Sequence, residues 1–141
     1  MKKKLIFAIV GTILMANPVM ADYSADDLYE LSHIVNAEAG DDNCPHELRI
    51  AVASVVMNRV NSDLFPNTVY EVVHQPGQYR PTWDGSFLAE PSEDSVAVAK
   101  EILEGGSQLP ADCLYQANFE QGSATYVTYD TIYGTTYICV Q

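Results

Sequence analysis

Leu28-Tyr29-Glu30-Leu31-Ser32-His33-Ile34-Val35-Asn36-Ala37-Glu38-Ala39-Gly40 reads as the greater part of an amphipathic helix and its stop. Leu28, Leu31 and Val35 recur at helical spacing, and Glu38 falls on the same face at the helix end. A carboxylate on a core-facing stripe is costly unless it is paired, protonated or used. Desolvation favours its neutral form and raises its pKa. A carboxylic acid of that kind beside an open groove is a general acid at neutral pH. The plainer alternative is a helix-end Glu that turns into solvent.

Working outward, Ser24 and Asp27 form a capping-box variant ahead of this helix, which runs to about Ala39 and stops at Gly40. Asp41-Asp42-Asn43 is a turn. Cys44 then takes an N-cap position, with Pro45 at N1 and Glu47 in the first turn of a second helix. That helix carries Leu48, Ile50, Ala51, Val52, Ala53, Val55, Val56 and Met57, so it is apolar nearly all round and is expected to be the buried centre. It is expected to fray near Asn58-Arg59-Val60-Asn61, with Asn58 a structural amide. Asn67 or Thr68 can cap a short helix through Val69, Val72 and Val73. Residues 75–85 mix turn formers with amides and aromatics, the composition of a binding loop. Tyr79, Arg80 and Trp83 in that loop either cover the core or touch a ligand. Ser92 caps the last helix, with Val96, Ala97, Ala99, Ile102 and Leu103 facing inward and Gly105 as its stop.

The C-terminal part changes character. Residues 114–119, 125–129 and 135–140 are rich in Tyr, Thr, Val and Ile, and read as three short antiparallel strands. The fold class is α+β, about four helices around a buried central helix followed by a small three-stranded antiparallel sheet.

Residues 1–21 read as a secretory signal peptide: Lys2 to Lys4, then an apolar run, then Val19-Met20-Ala21 before Asp22. Residues 22–141 form a single domain large enough for a modest core. Residues 1–21 hold three of the seven basic residues and none of the 19 acidic ones, leaving 4 against 19 and a formal charge of −15. Such a surface argues against nucleic acid, whose binding rests on Lys and Arg. It gives no attraction to an anionic cell wall either, so wall-directed function has to rest on groove contacts. No second apolar segment could span a membrane, so no stable anchor is expected after signal cleavage. The mature domain is expected to be secreted and monomeric. Cys44, Cys113 and Cys139 are the only cysteines. In an exported chain two are expected to pair, and Cys44–Cys139 closes a longer loop than Cys113–Cys139.

Three chemistries fit these residues. Glu38 faces a loop and sheet rich in amides and rings, the side chains that grip sugars: amides bond hydroxyls, and rings stack on apolar sugar faces. Glycoside hydrolysis usually needs two carboxylates, and Asp41, Asp42 and Asp84 all fall on loops. One reaction runs on a single carboxylate: the acid protonates the bridging oxygen, the sugar's own 6-hydroxyl attacks the anomeric carbon, and the carboxylate takes back a proton. The second chemistry is a thiol amidase or peptidase, with Cys44 at a helix N-terminus and His33, His46 or His74 as base. The third is a metal site built from the three His, for which no HExxH or similar spacing occurs. No metal and no cofactor is expected.

The sequence resembles the spore-cortex-lytic type of cell wall hydrolases. The resemblance rests on Ile34-Val35-Asn36-Ala37-Glu38-Ala39-Gly40, Ala51-Val52-Ala53-Ser54-Val55-Val56-Met57-Asn58-Arg59-Val60, Phe65-Pro66-Asn67-Thr68-Val69-Tyr70, Gln75-Pro76-Gly77-Gln78-Tyr79 and a late Tyr115-Gln116-Ala117. It implies a lysozyme-like α+β fold that cuts peptidoglycan glycan strands, as a lytic transglycosylase or as a muramidase-type hydrolase. It implies Glu38 as the catalytic residue, and a substrate groove drawn from Gln75, Gln78 and Tyr79 with Tyr115 and Gln116. The chain departs from the family pattern at His74, where an aromatic residue is common, and at Gly134-Thr135-Thr136, where many members have Gly-Asn-His. A module that binds glycan without cutting it is the non-enzymatic alternative.

Overall fold

The computed structural model describes residues 22–141; the signal-peptide expectation falls on residues 1–21, outside them. The chain runs α1 (Ala25–Ala39), α2 (His46–Val60), α3 (Val69–Val73), α4 (Pro81–Asp84), a 3-10 turn (Ser86–Leu88), α5 (Glu93–Gly105), β1 (Cys113–Ala117), β2 (Ala124–Thr131) and β3 (Gly134–Val140). The architecture is the expected α+β. The 75–85 stretch is more ordered than its composition suggests. Pro81 sits at the start of α4, where a missing N–H costs nothing, and Gly85 at φ 89° ends it.

Local signals set most boundaries. Ser24 Oγ accepts from Asp27 N at 3.0 Å, and the Asp27 carboxylate accepts from Ser24 N at 2.9 Å, so the capping box is complete. Thr68 caps α3 and Ser92 caps α5. Helix α2 starts one residue later than expected: Pro45 keeps an extended ψ of 144° and is itself the N-cap, with no side-chain cap. It also does not fray at Asn58. The helix continues to Val60, with Asn58 and Arg59 buried. In α5 the inward face is Ser95, Val98, Ala99, Ile102 and Leu103, while Ala97 is exposed and Val96 only half-buried.

Helix α2 is buried all round. One side meets α1, α3 and α5, where Leu31, Ile34, Val35, Val52, Val56, Val72, Ile102 and Leu103 form the main core. The other side meets the sheet, where Ala51 and Val55 pack on Cys113 and Ile138. The sheet order is β1-β3-β2, antiparallel throughout, with β3 in the middle. Gly122, at φ 69°, lets the chain enter β2 hard against the Val140 carbonyl, where a Cβ would collide.

The three cysteines are free thiols, and the Cys44–Cys139 bridge is not formed. Cys44 precedes the N-terminus of α2, where the β2–β3 hairpin tip also lies: Tyr133 Oη donates to Asp41 at 2.9 Å. Cys139 lies six residues farther along β3, about 20 Å of strand. It neighbours β1 near the other end of α2, where Asn58 Nδ2 donates to the Cys113 carbonyl at 3.0 Å. Long-loop closure favoured a pairing that the antiparallel packing of sheet on helix prevents.

Ile138 joins both flanking strands and fills the space under α2. Ile138→Ala is expected to lower unfolding free energy by about 2–5 kcal/mol in urea titration.

Candidate functional site

Glu38 lies on the last turn of α1, and four hydrogen bonds fix that turn. Arg49 Nη2, from α2, donates to the carbonyls of Gly40 at 3.3 Å and Asp41 at 3.0 Å, capping the helix end. Asn36 Oδ1 accepts from Ser92 N at 3.0 Å and Ser95 Oγ at 3.2 Å, locking α1 to the start of α5. Gly40 makes this possible, because a Cβ there would collide with Asn36.

The carboxyl is not in the core. Leu31 and Val35 are fully buried and Ala39 takes the next core position, while Glu38 is exposed at the edge of a groove of about 1040 Å³. Protein nonetheless crowds the carboxyl. Desolvation is the leading cause that raises its pKa, and the negative charge of Asp84 adds to it. The C-terminal end of α1 also disfavours a negative charge there. Against these, Gln116 Nε2 donates to Glu38 Oε2 at 3.4 Å and pulls the pKa down, without reversing the rise.

Of the five residues expected along the groove, Gln78, Tyr115 and Gln116 line it. Gln116 is a partner of Glu38 as well as a wall. Tyr79 is buried, 2% exposed, with its hydroxyl unpartnered and burial pushing its pKa up to about 12. Gln75 is half-buried, with its side-chain carbonyl enclosed and unpartnered, and it is not part of the lining. Both lie in a loop wrapped onto the core, so local composition could not tell inward from outward side chains. Trp83, 59% exposed, lines the groove rather than covering the core, and Phe119, equally exposed, lines it from the β1–β2 connection.

Three further groove residues carry charge, Asp84, Arg80 and Arg59. Asp84 Oδ1 accepts from Ser86 N at 2.9 Å and Ser86 Oγ at 2.6 Å, which hold its pKa below the usual range; its other oxygen pairs with Arg80 Nε at 3.3 Å. Arg59, on the buried end of α2, was disguised in the sequence as a fraying helix end. Thr136, which stands in the segment that differs from many members of the resembled family, also lines the groove; a threonine hydroxyl does not titrate near neutral pH.

The thiol chemistry finds no support in this geometry. Burial and Asp41 push the Cys44 thiol up, away from a nucleophile. His46 is held by Asp94 at 3.1 Å, and His74 by Glu30 at 2.7 Å. His33 bonds the Phe87 carbonyl at 2.7 Å. Among the described residues no group of three or more His, Cys, Asp or Glu is arranged to hold a metal ion.

Residues 44–136 match the sequence model of a family described as cell wall hydrolase. The chain belongs to the cell wall hydrolase family. Within reach of this family, it is 30% identical over 105 residues to a spore cortex-lytic enzyme of Oceanobacillus iheyensis, covering 74% of this chain and 37% of the relative. A spore cortex-lytic enzyme of Bacillus subtilis is 29% identical over 105 residues, covering 74% and 33%. The chain thus spans about a third of the length of the curated relatives it matches. Among solved structures, the catalytic domain of the germination-specific lytic transglycosylase SleB from Bacillus anthracis superposes with a TM-score of 0.64 at 24% identity, covering 84% of this chain and 98% of that one. The fold of that domain is therefore shared over 84% of this chain.

The raised pKa of Glu38 has a stability consequence. A folded pKa above the unfolded value stabilises the fold below the unfolded pKa and is lost as pH rises through the folded one. Glu38→Gln is therefore expected to raise the melting temperature at pH 7, with the gain shrinking toward pH 4, as read by circular dichroism melts.

Proposed function

We propose that this cell wall hydrolase cleaves the glycan strands of peptidoglycan by lytic transglycosylation, with Glu38 as the one general acid and base. The observation that carries this reading is the state of Glu38: a carboxyl raised by desolvation, open to a groove that amides and rings line. The names of its relatives and of its structural neighbour support the same substrate class. Residues 22–141 would act as one catalytic domain, exported by a signal peptide over residues 1–21.

The chemistry follows from that state. Protonated Glu38 donates to the bridging oxygen and the bond to the anomeric carbon breaks. Positive charge builds on the sugar as the carboxylate forms beside it. The 6-hydroxyl of the same muramic residue closes onto the anomeric carbon and returns its proton to Glu38, so no water is consumed. An already placed nucleophile removes the entropy cost of capturing one. Sugar filling the groove excludes water and strengthens the desolvation that raises the pKa of Glu38.

Asp84 supports a second reading. It shares the groove with Glu38 and could activate a water, giving muramidase-type hydrolysis. Its bonds to Ser86 and Arg80 favour the anion but make it a weak base.

Two variants separate these. With purified peptidoglycan and mass analysis of released fragments, Glu38→Gln should lose cleavage by at least about a hundredfold while still binding glycan; undiminished cleavage contradicts the assignment. Asp84→Asn removes a negative charge that raises Glu38, so the alkaline limb of the pH–rate profile should move to lower pH with most activity kept. Loss of a hundredfold or more would favour hydrolysis with Asp84 as base.

A further inference from the structure

Residues 22–141 carry four basic side chains, Arg49, Arg59, Arg80 and Lys100. Three have carboxylate partners: Arg49 with Asp94 at 3.0 Å, Arg80 with Asp84 at 3.3 Å and Lys100 with Glu104 at 3.8 Å. Arg59 has none among the described residues, and it is the most buried of the four, at 3% exposure. Its Nε donates to the Leu114 carbonyl at 2.7 Å and its Nη1 to Gln78 Oε1 at 3.2 Å. Both acceptors are neutral. A guanidinium has five N–H donors, so these two bonds leave donors over. The rings of Phe65, Tyr79 and Tyr115 surround Cζ at 4.8, 5.3 and 5.9 Å from their centroids. Aromatic faces offset part of the desolvation of the cation but do not neutralise it.

A buried charge without a counter-ion is costly. Here the one such cation lies in the wall of the same groove as Glu38. Tyr115 and Gln78, which touch Arg59, line that groove too. A planar fork fixed by its own hydrogen bonds matches a carboxylate better than a hydroxyl or an amide carbonyl. Residues 22–141 carry a formal charge of −15, so the rest of their surface offers such an anion little attraction.

Resting on the glycan-cleaving reading above, we propose that Arg59 binds the free lactyl carboxylate of a muramic residue, and so selects glycan strands from which the stem peptide has been removed. With peptide attached, that position is a neutral amide and the cation gains no counter-ion. The reaction that must supply this substrate is hydrolysis of the amide between the lactyl group and the peptide. A carboxylate at the end of a stem peptide offers the same chemistry from another source, which the test separates.

The test measures binding in the Glu38→Gln background, where strands are not cut. Three short soluble strand preparations are titrated while Trp83 fluorescence is followed: peptide-free strands with lactyl carboxylates, the same strands with those carboxyls reduced to alcohols, and peptide-bearing strands. The carboxylate strands should bind about tenfold to a hundredfold tighter than the reduced ones, as expected for charge-assisted hydrogen bonds. The preference should weaken with salt, and Arg59→Gln should erase it while Arg59→Lys keeps part. Equal binding of carboxylate and reduced strands overturns the proposal, whether or not Arg59→Gln folds. So does a preference that survives Arg59→Gln, or tightest binding to peptide-bearing strands. A carboxylate preference in a protein whose Glu38-containing form cuts no strand would leave this site standing and remove the cleavage reading. No binding to any strand would remove both.

Discussion

Burial of α2 on every side is the constraint from which the rest follows. A helix with Ala51, Val52, Ala53, Val55, Val56 and Met57 at 2% exposure or less cannot present one face to water. It needs α1, α3 and α5 on one side and the sheet on the other. The groove is the seam between those two layers. Glu38 comes from the helical side and Tyr115 with Gln116 from the sheet side, so the site exists only when both have docked on α2. Arg59 ties the seam together, bonding Leu114 of β1 and Gln78 of the loop from one guanidinium.

Much of this was legible in residue order. The Ser24–Asp27 box, the nearly all-round apolar α2, the Ser92 cap, a cap on α3 at one of two candidates and the three strands rich in Tyr, Thr, Val and Ile each rest on short-range signals, and each formed. Glu38 stood out for the same reason, although it faces the groove rather than the core. What the order of residues hid depended on distant partners. Arg59 looked like a polar helix end because Leu114 and the three rings that bury it come from elsewhere in the chain. Gln75 and Tyr79 looked like groove residues because their loop is polar and aromatic, and only packing turns them inward. The cysteine pairing failed because loop length carries no information on which end of α2 each thiol reaches.

The site's electrostatics are set by an imbalance. The surface is strongly acidic, yet the groove holds one buried cation and one carboxyl whose pKa is raised by desolvation. Asp84 stays ionised through Ser86 and Arg80 while Glu38 is raised. Two carboxyls in one groove, pushed apart in pKa, divide acid from anion without a second proton carrier. In the proposed ring closure Glu38 would act alone, with the charge of Asp84 contributing to its raised pKa.

The most direct test of a one-carboxylate reaction is the fate of water oxygen. Digestion of peptidoglycan in ¹⁸O-enriched water, followed by mass analysis of the new glycan ends, is expected to give anhydro-muramic ends that carry no ¹⁸O. Incorporation of one ¹⁸O at each new reducing end would contradict the account and make the enzyme a hydrolase.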